Sequence, residues 1–189
     1  VADGDTGSNM AFLMQAIINE AKPSESVSET LESIASASLS GSRGNSGIIF
    51  SEYLYGLYEH LRGKVTATIH DFSDAFKYAS QKAYQAILNP VEGTILTVLR
   101  KASETEPSQN DFVAYFEDTL NVAKKALVET TDELAILKAS NVVDAGAKGF
   151  TDFLEGIHHY FVTGEFEMTD IIQIEEAMED IHVDEAEER

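Results

Sequence analysis

The sequence predicts an all-α protein, an antiparallel barrel or bundle of about eight amphipathic helices. Apolar residues recur with the i, i+3, i+4, i+7 spacing of one helix face in segment after segment. The three prolines, at positions 23, 90 and 107, fall between these segments, where helices should end. Only "KVTATIH" at 64–70 alternates like a strand. This stretch is too short to build a sheet, and we expect an extended connection there.

Five apolar stripes define the predicted helices in chain order, and we expect their side chains, the Phe and Tyr rings above all, to form the core. They consist of Met10, Leu13, Ile17 and Ile18; Phe50, Tyr53, Leu54, Leu57, Tyr58 and Leu61; Phe72, Ala75, Phe76, Ala79, Ala83 and Ile87; Phe112, Phe116, Leu120, Ala123 and Leu127; and Phe150, Phe153, Leu154, Ile157 and Phe161.

Length and composition indicate one self-sufficient domain. The 189 residues are 43% hydrophobic, which is enough to bury a sizeable core. The absence of cysteine from the sequence excludes a disulfide framework and thiolate metal sites and fits a reducing cytoplasm. No apolar run has the length of a membrane span, and we expect a cytoplasmic protein without stable membrane insertion. Because the sequence begins at Val1 rather than Met, we also expect a fragment truncated at its N-terminus.

Charge divides the chain at about residue 164. The net charge of −20 argues against nucleic acid as a partner. Half of that charge lies in 165–189, which holds eleven acidic residues and one basic residue. We therefore expect one domain over 1–164, followed by an acidic helical extension or a linker to a further domain over 165–189.

Four glycine-bearing loops each precede a predicted helix. They are "DGDTGSN" at 3–9, "SGSRGNSG" at 40–47, "NPVEGTILTV" at 89–98 and "NVVDAGAKG" at 141–149. A helix N-terminus has unpaired N–H groups and a positive dipole end, so a loop of small residues before it can bind an anion. One such loop can be a simple turn or cap. Four of them favour a shared polyphosphate site.

The first of these loops holds two carboxylates, Asp3 and Asp5, one residue apart. At about 5 Å and an effective dielectric of about 20 they repel each other by roughly 3 kcal/mol, so we expect a cation between them. Oxygen ligands in a short loop suit Mg²⁺, which usually binds one or two carboxylates together with substrate phosphates. The loops therefore predict a site for a polyphosphate with a divalent metal.

Common motifs do not explain these loops. "GSRGNSG" lacks the lysine of a Walker loop and follows a helical Ala/Ser stretch rather than a strand. Ile48 stands where a nucleophile elbow requires its last glycine. "DGDTGSNMAFLM" is not an EF-hand loop, because its glycine falls one place late and Met14 replaces the bidentate glutamate.

The stretches "ADGDTGSNM", "GSRGNSGIIFSEYLYG", "EGTILTVLRKA" and "VVDAGAKGF" resemble, in order and approximate spacing, the nucleotide-binding domain of fatty acid kinase A subunits. That domain is similar to the ADP-binding L subunit of dihydroxyacetone kinases. The resemblance covers Val1 to about Gly164. It implies a barrel of antiparallel helices that binds ATP or ADP and two Mg²⁺ ions in loops at one end.

The resemblance also implies roles for individual residues. Asp3 and Asp5 match the Mg²⁺ ligands and are thereby candidate catalytic groups. Arg43 is a third candidate, because a cation in these loops would offset charge on the transferred phosphate, and Lys148 is an alternative. The nucleotide-binding positions match Thr6, Ser8, Asn9, Asn45, Ser46, Gly47, Gly93, Thr94, Asp144 and Gly146.

The implied activity is transfer of the γ-phosphate of ATP to a fatty acid carboxylate, giving acyl phosphate for phospholipid synthesis. In the resembled family a DegV-type fatty-acid-binding protein presents the acceptor, so we expect such a partner, and a homodimer would form through domains outside this chain. A carboxylate acceptor is already ionised and requires no general base, which is consistent with the absence of histidine from the four loops.

Two departures and two alternatives accompany the resemblance. Ala2 stands where proline is usual, and the segment that precedes Val1, which holds a further metal-site residue in the family, is missing from the sequence. One alternative is a dihydroxyacetone kinase L-type subunit, although Thr6 occupies the place of that branch's histidine. The other is a non-enzymatic nucleotide-binding module, which has no need of both Asp3 and Asp5.

Overall fold

The computed structural model describes residues 6–140 and 142–165, and this part of the chain forms eight α-helices without strands. The predicted all-α class and the number of helices are confirmed. The helices are α1 (Thr6–Glu20), α2 (Val27–Gly41), α3 (Gly44–Leu61), α4 (Ile69–Gln85), α5 (Ile95–Ser103), α6 (Phe112–Glu133), α7 (Ala135–Ser140) and α8 (Ala145–Thr163). Asp3, Asp5 and the predicted extension beyond Glu165 lie outside the described residues.

Most of the helices begin at a side chain suited to capping. Ser26 caps α2 and Asp111 caps α6. At α4 the Thr68 hydroxyl accepts a hydrogen bond from Asp71 N, and the Asp71 carboxylate accepts one from Thr68 N at 2.8 Å. This capping box fixes where the helix starts. The predicted connection at 64–70 is accordingly non-helical only over 64–68, since α4 already begins at Ile69.

The helices close into a ring. Along the chain, α1 packs on α2, α2 on α3, α3 on α4, α4 on α5 and α5 on α6; α8 then packs on α6 and closes the ring against α1. The helices α1, α3, α5 and α8 all start at the same end of the molecule, and α2, α4 and α6 run back from the other end. Among the described helices, none combines the length and the apolar character that crossing a bilayer requires.

Aromatic rings fill the centre of the barrel. Phe50 and Tyr53 of α3 lie 5.9 and 5.4 Å from the Phe150 ring of α8, with edge-to-face geometry. Tyr53 also contacts Phe76 of α4 at 6.1 Å. These rings are at most 5% exposed. The predicted stripes thus form the core, with two exceptions at helix ends, since Ile18 is 53% exposed and Phe161 is 41% exposed.

The helices α3 and α4 pack most closely at Gly56. A Cβ atom added to Gly56 would lie 2.7 Å from Ala79 Cα, which is shorter than any normal contact. Gly156 of α8 offers a matched comparison, because a Cβ there would meet no atom within 4 Å. A glycine is therefore required at the first position by packing and not at the second.

We predict opposite effects of alanine at these two glycines. Gly56→Ala should lower the free energy of unfolding by about 1–3 kcal/mol, because the added methyl group pushes α3 away from α4. Gly156→Ala should raise it by about 0.5–1 kcal/mol, because it removes only backbone freedom of the unfolded chain. Urea denaturation of both variants measures the difference. Equal effects at both positions would contradict the close packing of α3 on α4.

Candidate functional site

The first turns of α1, α3, α5 and α8 meet at one end of the barrel. This agrees with the expectation that the four glycine-bearing loops lie together. A Cβ atom added to Gly44, the first residue of α3, would lie 2.6 Å from Asn9 Nδ2 of α1. One added to Gly146 of α8 would lie 3.0 Å from Ser46 Oγ of α3 and 3.3 Å from Ile95 Cβ of α5. Small residues therefore let the first turns of α1, α3, α5 and α8 touch.

A cleft of about 150 Å³ opens between these helix starts. Four of the predicted nucleotide-binding residues line it, namely Asn45, Ser46, Thr94 and Asp144. The remaining lining is mostly apolar and consists of Ile49, Ile87, Asn89, Val91, Ile95 and Leu96. Small-molecule sites usually measure roughly 300–1,000 Å³, so this cleft has room for part of a nucleotide. Larger clefts of about 470 and 560 Å³ are lined by other residues.

Within the described part of the chain, the N-cap residue of α3 does not cap the helix with its side chain. Its N-cap residue, Arg43, has extended backbone geometry and makes no capping hydrogen bond. Gly44 follows with φ of +60°, a conformation that glycine adopts without strain. The first N–H groups of a helix lack partners within the helix. The first turn of α3, with Asn45 and Ser46 at the cleft, is therefore suited to binding an anion.

Asp144 joins the starts of α5 and α8. Its Oδ1 accepts hydrogen bonds from Ala147 N at 2.8 Å and from Ile95 N at 3.0 Å. Its own N–H donates to Thr130 Oγ1 of α6 at 3.2 Å. Burial raises the pKa of Asp144, although these backbone hydrogen bonds oppose the rise. One carboxylate thus serves two positive helix ends, whereas Arg43, the N-cap residue of α3, makes no capping hydrogen bond.

The loop before α5 is held tightly. Gly93 has φ of +80°, and a Cβ there would lie 2.9 Å from both Glu133 Cβ and Leu134 Cγ at the end of α6. The Thr94 hydroxyl donates to Val91 O at 2.7 Å and accepts from Leu96 N at 3.4 Å, so it caps α5. These contacts of Gly93 and Thr94 fix the conformation of the loop.

The candidate cations are engaged within the protein. The Arg43 guanidinium lies 4.1 Å from the centroid of the Phe12 ring, a cation–π contact that holds it on α1. Lys148 Nζ lies 2.5 Å from Asp152 Oδ1 on α8. Neither residue lines the cleft. The predicted catalytic function of Arg43 therefore needs its side chain to leave the Phe12 ring.

The predicted metal ligands fall beyond the described part of the chain. Asp5 directly precedes Thr6, the first residue of α1. Within 6–140 and 142–165, no group of three or more His, Cys, Asp or Glu side chains could hold a metal ion. Thr6, Ser8 and Asn9 of α1 and Ser46 of α3 carry oxygen atoms of the hard type that suits Mg²⁺, so the chemistry of these described residues is compatible with that metal.

Sequence reasoning missed two threonines that support the site. Thr130 accepts the hydrogen bond from Asp144 N, and Thr97 accepts one from Gly93 N at 2.8 Å. Both are buried. Thr97 of α5 lies one turn after the predicted binding residue Thr94, so this spacing could have identified it. Thr130 gave no such signal, because it belongs to α6 and reaches the site only through packing.

Comparison with known proteins identifies the class. The family model of the DAK2 domain matches residues 1–159. An uncharacterized protein of Mycoplasma genitalium is 39% identical over 174 residues, covering 85% of this chain and 31% of the relative. An uncharacterized protein of Staphylococcus epidermidis is 34% identical over 165 residues, covering 82% and 29%. This chain thus spans about a third of the length of these relatives.

The all-α fold and the joined helix starts fit a kinase-associated domain that binds ADP or ATP, the class to which DAK2 domains belong. This chain belongs to the DAK2 domain family, whose members resemble the L subunit of dihydroxyacetone kinase.

We predict that Asp144 stabilises the site as a hydrogen-bond acceptor rather than as a charge. Asp144→Ala should lower the free energy of unfolding by about 1–2 kcal/mol, since α5 and α8 both lose their acceptor. Asp144→Asn keeps an acceptor and should cost less. Because the pKa of Asp144 is raised in the folded state, wild-type stability relative to Asp144→Asn should fall as pH rises from below about 4 to 7. Thermal denaturation at several pH values tests this, and an Asn variant as unstable as Ala at pH 7 would contradict it.

Proposed function

We propose that this chain is the ATP-binding domain of a fatty acid kinase. It transfers the γ-phosphate of ATP to the carboxylate of a fatty acid that a DegV-type partner protein presents. The observation that carries the proposal is the uncapped N-terminus of α3, which faces a cleft between joined helix starts. The DAK2 family match supports the nucleotide, and the motif resemblance supports the acceptor.

The contacts favour one orientation of the nucleotide. The phosphates lie at the start of α3, where Asn45, Ser46 and Gly47 supply N–H groups and a hydroxyl. The starts of α5 and α8 already bind the Asp144 carboxylate, which would repel a phosphate. These elements, with the apolar Ile87 and Val91, then line the base and sugar.

In this proposal Asp3 and Asp5, assisted by Thr6 and Asn9, would hold the Mg²⁺ ions. When bound, Mg²⁺ neutralises charge on the β- and γ-phosphates. The Asn9 side-chain amide lies against Gly44 at the start of α3, and its Nδ2 is suited to donate a hydrogen bond to a phosphate oxygen there. The Asn9 side chain of α1 and the first-turn N–H groups of α3 therefore lie close enough to contact the same phosphates.

The reaction needs little covalent chemistry from the protein. A carboxylate oxygen of the fatty acid attacks the γ-phosphorus, and the bond from that phosphorus to the β-phosphate oxygen breaks. The products are acyl phosphate and ADP, and no proton is transferred. The barrier is mainly repulsion between anions, so positioning and positive charge suffice. The N-terminus of α3 supplies part of that charge, and Arg43 adds more when its side chain leaves the Phe12 ring.

The dihydroxyacetone branch remains the second candidate, because the family takes its description from that enzyme. In that branch the domain would bind ADP, receive a phosphoryl group on it from a phosphocarrier, and pass that group to a triose hydroxyl. Such an acceptor must lose a proton, which calls for a general base. Thr6 stands at the position of that branch's histidine and cannot serve as one.

We predict that nucleotide binding requires Mg²⁺ and Asp5. Calorimetric titration of the full-length protein with ATP should give binding with Mg²⁺ and at least about tenfold weaker binding without it or in Asp5→Asn. Asp118→Asn, an exposed carboxylate on α6, is the matched control and should bind like wild type. An ATP affinity that is unchanged both without Mg²⁺ and in Asp5→Asn would refute a metal-assisted site.

The acceptor is tested by trapping the product. With ATP, Mg²⁺ and a fatty acid loaded on its carrier protein, the full-length enzyme should form an acyl phosphate, which hydroxylamine converts into a detectable hydroxamate. When dihydroxyacetone replaces the fatty acid as the acceptor, the enzyme should hydrolyse or transfer no phosphate from ATP. Phosphorylation of the triose without any hydroxamate would instead favour the second candidate.

A further inference from the structure

We propose that Glu92 is a positioning residue, which holds the loop at 91–94 in the shape that nucleotide binding requires. This inference rests on the proposed nucleotide site. Glu92 lies in that loop, directly before Gly93 and Thr94, but its side chain points elsewhere. It lines a separate cleft of about 560 Å³, which also contains Tyr84, Arg100 and Glu104.

The Glu92 carboxylate connects the loop to two helices. Its Oε1 accepts a hydrogen bond from the Tyr84 hydroxyl of α4. Its Oε2 accepts one from Thr97 Oγ1 of α5 at 2.6 Å and one from Arg100 Nη2 at 3.3 Å. Burial raises the pKa of Glu92, but the hydrogen bonds from Thr97, Tyr84 and Arg100 outweigh that effect and leave it below its ordinary value. Glu92 therefore stays ionised and acts only as an acceptor at neutral pH.

Thr97 passes this constraint on to the loop backbone. A hydroxyl has one hydrogen, and that of Thr97 is donated to Glu92. The lone pairs of the same oxygen are then directed to Gly93 N, which donates to it at 2.8 Å. Because Thr97 is 1% exposed, water cannot easily replace either bond. The carboxylate of Glu92 thus fixes the Gly93 amide and, through it, the turn that places Thr94 at the cleft.

A glutamine at position 92 cannot make the same set of bonds. Its amide offers one oxygen and an NH₂ group, whereas the native carboxylate faces three donors. Either the Tyr84 or the Thr97 hydroxyl must then accept from the amide NH₂ instead of donating, so its own hydrogen loses its acceptor. In both cases the side chain at position 92 holds the loop less firmly. The change is nearly isosteric, so it tests the hydrogen-bond pattern with little change in packing.

The test compares Glu92→Gln with Glu104→Gln in the full-length protein. Glu104 is the matched control, because it also pairs with Arg100, at 3.3 Å, but lies on the far side of α5 from Gly93 in sequence and accepts its hydrogen bond from Arg100 Nη1. Glu92→Gln should weaken binding of ATP with Mg²⁺ by about tenfold, the scale typical of groups that orient a site's contacts. In the nucleotide-free protein it should also speed hydrogen exchange of the Gly93 amide. Glu104→Gln should change neither.

Tyr84→Phe provides a milder variant in case Glu92→Gln lowers the melting temperature sharply. It removes one donor to Glu92 and should shift both measurements in the same direction by less. Wild-type affinity and wild-type Gly93 exchange in Glu92→Gln would overturn the proposal. If the wild-type protein binds no nucleotide, the proposed function fails instead, and the Gly93 exchange rate alone decides whether Glu92 holds the loop.

Discussion

The structure depends on satisfying the N–H groups of several helix N-termini that lie together at one end of the barrel. Each start carries unpaired N–H groups and partial positive charge, so bringing them together is unfavourable unless acceptors and negative charge meet them. Asp144 supplies a hydrogen-bond acceptor to α5 and α8 with a single oxygen. At α3 the N-cap residue, Arg43, makes no capping hydrogen bond. Among the described helix starts with an assigned N-cap, that of α3 is thus suited to an anion from outside.

Small residues make the close approach of these helix starts sterically possible. Glycines at the contact points, Gly44 and Gly146, let α1, α3, α5 and α8 touch at their first turns. Aromatic packing of Phe50, Tyr53 and Phe150 then sets the angle and spacing of α3 and α8 further along. Because this core is dense, the first turns have little freedom to separate. A rigid site of this kind suits phosphoryl transfer, in which positioning supplies much of the catalysis.

Much of the fold could be read from the sequence, because the apolar stripes of α3, α4, α6 and α8 repeat at the helical period. No stripe was predicted for α2, α5 or the short α7. The convergence of the loops followed from their shared chemistry. The contacts within them did not, because Asp144 and Ile95 are 49 positions apart and only packing brings them together. The stacking of Arg43 on Phe12 was hidden for the same reason.

The central claim is that phosphate binds at the uncapped start of α3 rather than at the ends that Asp144 already serves. Hydrogen exchange of the full-length protein with and without ATP and Mg²⁺ tests it amide by amide. We expect the largest slowing at 44–47 and a smaller change at Ile95 and Ala147, whose amides are bonded to Asp144. Slowing centred on the cleft of Tyr84 and Arg100, with none at 44–47, would contradict the account.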